Sequence, residues 1–491
     1  MTLTIKSFLS DTETPVSLFA KLQPLFSMMF LLESADRDKQ VARFSIIGLD
    51  PILGFRLKEG QAVVTDYRAG RKETIETVTD PFTYLQQTQQ ALLPELDPLP
   101  SHLADLPLTA GWVGYLGYGM TRYFENIPQQ KLDVLHVPDA YMALYDSMIV
   151  FDHLYHRIHF ISHRAPAEAT RLLDKINDTL LSPDPRHITQ PLPFEDIPDE
   201  TIFDGVEYAV TKEAYLSAVE RCKQLITEGQ TFQIVLAQRF SMPIHCSALD
   251  VYRMVTAINP SPYAYYLKYP EFTYLGSSPE TFLRCRNNQV TLKALAGTRP
   301  RGQSPEADEQ LAVELRANTK EMAEHRMLVD LGRNDLGRVC KPGTIQVGEI
   351  AQVIRYSHVM HLATEITGQL QVGKTGYDAI RGCFPRGTVS GAPKIRAMQL
   401  LAQLEPEQRG VYSGMVGYID PNGNTDGAIA IRSALVQDGR VHVHAGAGVV
   451  YHSQSESEYE ETRNKARSML KAIQMAERMA SNACSPLGSH H

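Results

Sequence analysis

The stretch FTYLGSSPETFLRCRNNQVTLKALAGTRPRG (residues 272–302) decides the fold class. Phe272–Leu275, Thr281–Arg286 and Gln289–Leu295 are short runs rich in β-branched, aromatic and other apolar residues, as strands require. Asn287–Asn288 separates the last two, and asparagine tolerates the left-handed backbone of a tight turn. Strands joined this closely run antiparallel. The habit recurs outward. Phe232–Leu236 and Tyr263–Lys268 precede the stretch, and Gly414–Ile419, Ala428–Val436 and Val441–His444 follow it. Ser147–Phe151 and Arg157–Ile161 form a hairpin around Asp152–His156.

Helical periods lie between these runs. Leu172, Leu173, Ile176 and Leu180 share one face. Thr211–Glu228 buries Tyr215, Val219, Cys222, Leu225 and Ile226, and Gly229 stops it. A tract from Pro305 to about Leu336, with room for a break, and a closing helix from Glu456 to Ala480 complete the set. Hairpins rather than strand–helix–strand units give an α+β chain. A length of 491 residues suggests two or three domains. The clearest break is the proline-rich segment 182–204, which separates an N-terminal region (1–181) from a C-terminal one (205–480).

Composition narrows the function. The chain is 43% hydrophobic and 21% charged, ordinary for a soluble globular protein. A net charge of −8 disfavours nucleic acid and anionic membrane as partners. LFSMMFLL (25–32), the longest apolar run, is far too short to span a bilayer. Six cysteines without CxxC spacing, and no apolar signal core in MTLTIKSFLSDTETP, point to the cytoplasm.

Two glutamate pairs carry the chemistry. Glu321 and Glu324 lie in NTKEMAEHRMLVDLGRND (318–335), and Glu458 and Glu461 in ESEYEETRNKAR (456–467). Each pair is spaced i, i+3 on a helix, so its carboxylates share a face. Clustered carboxylates repel until protonated or met by a cation, and an all-oxygen set beside an anionic substrate suits Mg2+. Surface charge is the plain alternative for either pair alone. Thr388, Ser390, Gly391, Gly446 and Gly448 lie in glycine-rich segments whose backbone N–H groups can approach an anion.

Together KExAEHxMLVDLxRND, GSSPE, AGTRPRG, GTVSGAPK and EYEETxNKA resemble the chorismate-utilising enzymes, and among them the anthranilate synthase large subunits. The likeness is dense over 205–475 and thinner in LLESAD (31–36), RFSIIGLDP (43–51) and GWVGYLGYG (111–119). It implies two mainly antiparallel sheets packed face to face with helices outside. It implies chorismate as substrate, aminated by ammonia, with loss of pyruvate to leave anthranilate. Glu324 and Glu461 would ligate Mg2+ directly, and Glu321 and Glu458 through water. Arg432 and Tyr412 would meet the enolpyruvyl carboxylate, near the backbone of Gly446 and Gly448. An arginine fork suits a planar carboxylate on general grounds too. Lys465 follows Glu461 by four residues and serves either the site or a simple helix ion pair. Glu280 would be the general acid, near Thr388, and His361 would assist pyruvate loss, with His358 as its control.

Two positions favour anthranilate. Ala296 stands where aminodeoxychorismate synthases carry a nucleophilic lysine, and Lys293 faces the other side of its strand. Gln233, in TFQIVLAQRF (231–240), stands where isochorismate synthases carry a lysine base. No glutaminase nucleophile elbow occurs, so a separate glutamine amidotransferase subunit is implied. LLES (31–34) and NPSPY (259–263) resemble the two sides of a tryptophan feedback pocket, with Glu33, Ser34, Pro262 and Tyr263 as its residues. Arg386 occupies a place where relatives show a small residue. The rival readings are an aminodeoxychorismate synthase and a non-catalytic tryptophan-binding regulatory subunit.

Overall fold

The computed structural model describes residues 2–34, 43–128, 132–181, 196–355 and 359–484. Two 12-stranded antiparallel sheets form its frame. The first runs 4–9, 157–162, 147–152, 44–49, 29–33, 263–268, 273–278, 433–437, 440–449, 233–243 and 207–208, with 391–392 beside 233–243. The second runs 346–347, 359–369, 289–300, 281–286, 425–429, 415–419, 111–116, 140–145, 53–58, 61–66 and 72–77, with 352–355 beside 359–369.

The sheets pack face to face through an aromatic layer. Phe30, Tyr265, Leu267 and Tyr274 from the first sheet meet Val113, Tyr115, Tyr141 and Val416 from the second. The Tyr141 and Tyr269 rings stack with centroids 4.1 Å apart. Helices cover the outer faces. Pro15–Leu22, Pro166–Leu181, Ala248–Ile258 and Ser455–Cys484 close the first sheet. Pro81–Leu92, Thr319–Gly337 and Gly376–Cys383 close the second. Burying both faces of each sheet supplies the main driving force.

Length alone suggested separate cores, but the strands ignore the proline-rich break. Glu33 pairs with Ala264 in one sheet and Leu116 with Met415 in the other. Neither half could close its sheets alone, because each would expose a long unpaired edge. Of the break itself, 182–195 lie outside the described residues.

Helix ends follow their caps. Thr211 accepts from the Ala214 N–H to start Lys212–Thr227. The long tract does break, at Asn318, which ends Pro305–Ala317 and caps Thr319–Gly337. One strand assignment fails. Ala428–Val436 is two strands, Thr425–Ile429 in the second sheet and Ser433–Gln437 in the first. The chain changes sheets between them, turning at Arg432, whose φ is +50°. Apolar residues on both sides of Arg432 hide such a corner. A second crossing lies alongside: Thr273–Ser278 belongs to the first sheet and Thr281–Arg286 to the second.

Candidate active site

The two crossings run antiparallel and bring Glu280 and Arg432 to one place. Ser277 N–H donates to the Arg432 carbonyl at 3.0 Å, and Ile429 N–H donates to the Glu280 carbonyl at 3.0 Å. Arg432 Nη1 donates to the Lys465 carbonyl at 2.6 Å. Among the described residues no carboxylate lies within ion-pair distance of its guanidinium. Burial holds that guanidinium below its ordinary value, opposed by Tyr412 and Glu461. Arg432 is half-buried, and a partly desolvated cation without a counter-anion, still open to the site, suits an anionic ligand.

Tyr412 stands beside it. Its ring stacks on His444 with centroids 5.4 Å apart, and the Arg409 guanidinium lies 5.7 Å from its centroid. Burial pushes its phenol up, so it is a neutral donor. Gly446 and Gly448 pair with Ala237 and Val235 on the neighbouring strand. A Cβ on Gly446 would lie 3.0 Å from the Tyr412 hydroxyl, and one on Gly448 would lie 2.8 Å from the Gln233 amide nitrogen. Close approach, not backbone conformation, demands these glycines.

Helices Thr319–Gly337 and Ser455–Cys484 bring the two glutamate pairs together. Burial raises Glu324, the Gln233 amide opposes this with a hydrogen bond of 3.2 Å, and the charges of Glu321 and Glu461 raise it further. Burial also raises Glu458, opposed by Ser453 and reinforced by Glu461. Glu458 Oε2 is buried without a hydrogen-bond partner. Glu461 Oε1 lies 2.6 Å from Lys465 Nζ, which also donates to the Gly446 carbonyl at 2.9 Å. Lys465 thus makes the helix ion pair and touches the site at once. Glu321 Oε1 is 3.7 Å from Arg299 Nη1.

Among the described residues no three His, Cys, Asp or Glu side chains close around one point as a ready cage. Mg2+ does not require one. It keeps several waters and takes one or two protein carboxylates, the rest coming from substrate. Mutually repelling oxygens and an orphaned buried Glu458 oxygen fit such an ion.

Thr388 stands against the Glu280 carboxyl, and His361 is close enough to Arg432 to feel its charge. Glu280 Oε1 and Thr388 Oγ1 are both buried without a hydrogen-bond partner. Burial raises the Glu280 carboxyl, while the Thr388 hydroxyl and the charges of Arg386 and Lys465 pull it down. His361 Nδ1 lies 2.8 Å from the Gly297 carbonyl and 3.2 Å from Thr298 Oγ1. A bulge between Ala296 and Arg299 turns that carbonyl toward it, with Gly297 at φ +62°. Burial lowers the imidazole, Gly297 opposes this and Arg432 adds to it, so His361 is neutral. His358 lies outside the described residues.

Glu33, Ser34, Pro262 and Tyr263 line a separate cleft of about 1350 Å³ between the two halves of the chain. Glu33 Oε2 accepts from Tyr252 Oη at 2.6 Å, and burial raises its carboxyl. Ser34 Oγ is buried without a partner. Tyr263 Oη donates to Asp426 at 2.8 Å. Residues 35 and 36 of LLESAD lie outside the described residues.

Sequence reading missed several neighbours. Gln233 entered only as the absence of a lysine, yet it holds Glu324. His444 and Tyr252 were not singled out.

The profile of the family described as chorismate binding enzyme matches residues 29–471. Anthranilate synthase component 1 of Thermus thermophilus is 42% identical over 475 residues, covering 96% of this chain and 98% of that protein. The Geobacillus stearothermophilus protein of the same description is 38% identical over 488 residues, covering 97% and 94%. The crystal structure of anthranilate synthase component I from Streptococcus pneumoniae aligns with a TM-score of 0.77 at 34% identity, covering 87% and 92%. The menaquinone-specific isochorismate synthase of Escherichia coli aligns with a TM-score of 0.70, covering 96% and 95%, and at 20% identity it shares the fold alone.

Proposed function

Since this chain belongs to the chorismate binding enzyme family, and within it to the anthranilate synthase component 1 group, we propose that it converts chorismate and ammonia to anthranilate and pyruvate. One observation carries the reading. A half-buried Arg432 without a counter-anion faces a cluster of mutually repelling carboxylates, so one molecule bearing two carboxylates can satisfy both. Arg432 and Tyr412 bind the enolpyruvyl carboxylate beside the bare backbone of Gly446 and Gly448.

Glu324 and Glu461 would hold Mg2+ directly, and Glu321 and Glu458 would contribute through bound water. The bound ion supplies positive charge that lets the ring carboxylate sit among these acids. Lys465 holds Glu461 in place.

Glu280 donates its proton to the C4 oxygen as that C–O bond breaks and a C–N bond forms at C2, releasing water. Its raised carboxyl keeps the proton ready. Thr388 lies beside that carboxyl and steadies the charge left behind. Removal of the C2 proton then expels the C3 enolpyruvyl oxygen, giving pyruvate and an aromatic ring. Neutral His361 assists this step. The side chain of Ala296 cannot form a covalent adduct, which favours this product over aminodeoxychorismate.

Ammonia comes from a glutamine amidotransferase subunit, and L-tryptophan inhibits by filling the cleft at Glu33, Ser34, Pro262 and Tyr263. The test is incubation with chorismate, Mg2+ and ammonium salt without a partner. Fluorescent anthranilate and pyruvate form in equal amounts. A non-fluorescent aminated product without pyruvate would replace this reading with aminodeoxychorismate synthesis, and no turnover would favour a regulatory subunit. Among the described residues no helix is long and apolar enough to cross a membrane.

A further inference from the structure

Beneath the turn Gly387–Val389, which carries Thr388, lies a charge cluster that the reaction as written does not use. Arg386 is 3% exposed. Its Nη1 is 3.8 Å from Asp335 Oδ2 and its Nη2 makes one long bond, 3.5 Å, to the Lys293 carbonyl. Nε and Nη1 have no hydrogen-bond partner. Lys394, 7% exposed, takes the better share of Asp335: its Nζ is 2.5 Å from Oδ1 and donates to the Cys383 carbonyl at 3.1 Å. Two cations therefore share one carboxylate. Burial raises Asp335 while Lys394 and Arg386 oppose it, so Asp335 cancels at most one of them. At least one positive charge is left over in a dry interior, where an unanswered charge is expensive.

The turn gives that charge no way out. A Cβ on Gly387 would lie 1.7 Å from Leu331 Cδ2, so the backbone is pressed onto the helix below. Ser390 Oγ bonds the Arg386 carbonyl at 3.0 Å, and Arg409 Nη1 bonds the Val389 carbonyl at 2.6 Å. Phe282 and Phe384, two residues from Glu280 and Arg386, bring the two segments together with ring centroids 5.6 Å apart, and Glu280, whose carboxyl feels the Arg386 charge, has its Oε1 buried and unpartnered.

We infer that Arg386 is a positioning residue for proton donation: it supplies the buried counter-charge for the Glu280 carboxylate formed when the proton leaves. The cluster reaches neutrality only with Glu280 ionised. Donation thereby relieves a standing charge imbalance instead of creating one. Arg386 acts through Glu280 and does not itself touch substrate. The charged groups facing Glu280 are Arg386 and Lys465, with Thr388 as the neutral neighbour; Arg386 faces Asp335, which also feels Lys394 and Arg338. This rests on Glu280 as the general acid.

The experiment compares the pH profile of anthranilate formation, with rates corrected for free ammonia, in the parent chain, Arg386→Met, Arg386→Lys and Asp335→Asn. The alkaline limb, where Glu280 loses its proton, moves to higher pH in Arg386→Met. It stays in Arg386→Lys, which keeps the charge, and moves to lower pH in Asp335→Asn. A limb that does not move in Arg386→Met overturns the inference, as does the same direction of movement in Arg386→Met and Asp335→Asn.

A second readout needs no turnover. The pH dependence of urea unfolding is compared in chains with and without Glu280→Gln, in the parent and in the Arg386→Met background. The difference curve moves to higher pH in the second background, and coincident curves refute the coupling. Absence of anthranilate from the parent at every pH would count against the proposed reaction, while the unfolding curves would still decide the charge coupling.

Discussion

Replacing Glu280 with glutamine separates catalysis from stability, and the structure gives both signs. The substitution keeps the shape of the side chain and removes its proton. General acid catalysis contributes about 100- to 10,000-fold, or about 2.7–5.5 kcal/mol of barrier, and the anthranilate rate falls by that factor. Stability moves the other way. Burial raises the Glu280 carboxyl above its ordinary value of 4.5. A group raised on folding contributes stability that is complete below its unfolded value and is lost as pH rises through its folded value. Glutamine has nothing to lose. Glu280→Gln therefore matches the parent at about pH 4 and exceeds it at about pH 8, by about 1.4 kcal/mol for each unit of displacement. The assay is initial fluorescence rate together with urea midpoints at the two pH values. A variant within ten-fold of the parental rate, or one less stable than the parent at about pH 8, would refute the role given to this acid.

Four further outcomes follow from the same geometry. Arg432→Lys loses the fork that meets a carboxylate; about 1.5–3 kcal/mol of charge-assisted bonding goes with it, so chorismate KM rises roughly 10- to 100-fold, with kcat less affected in steady-state kinetics. In thermal melts Mg2+ raises the unfolding temperature of the parent by mass action but leaves Glu461→Ala unmoved, and an equal rise in both would remove Glu461 from the metal. Gly448→Ala drives a Cβ to 2.8 Å from the Gln233 amide and pushes it off Glu324; denaturant melts register a loss of about 1–3 kcal/mol, and the Mg2+ concentration for half activity increases. Calorimetry detects L-tryptophan binding to the parent and a weaker or absent signal in Glu33→Ala, whereas unchanged heat would move the effector away from that cleft.

The legible parts of the fold were those with local signals. Tyr263–Lys268 and Thr281–Arg286 were bounded to the residue because turn-forming residues flank them, and Asn287 and Asn288 do take φ of +51° and +63°. The break at Asn318 was foreseen as a break without a position, since a short polar cap inside a long helical period is easily passed over. The corner at Arg432 was not legible. Arginine rarely adopts positive φ, and nothing in AIAIRSAL marks where a strand leaves one sheet for another. For the site, motif likeness named Glu280 and Arg432. It did not reveal that Gln233 bonds Glu324, nor that Arg386 is sealed beside Asp335, because both depend on strands and helices far apart in the chain.

The paired crossings at 277–280 and 429–432 have a mechanical consequence. Two large layers would ordinarily be free to shear past each other on a greasy aromatic interface. Here each is riveted to the other by covalent chain, at the short links 49–53 and 145–147 and again at these two adjacent points, which carry Glu280 and Arg432. Because the two crossings are hydrogen-bonded to each other, Glu280 and Arg432 are held in register with both layers at once.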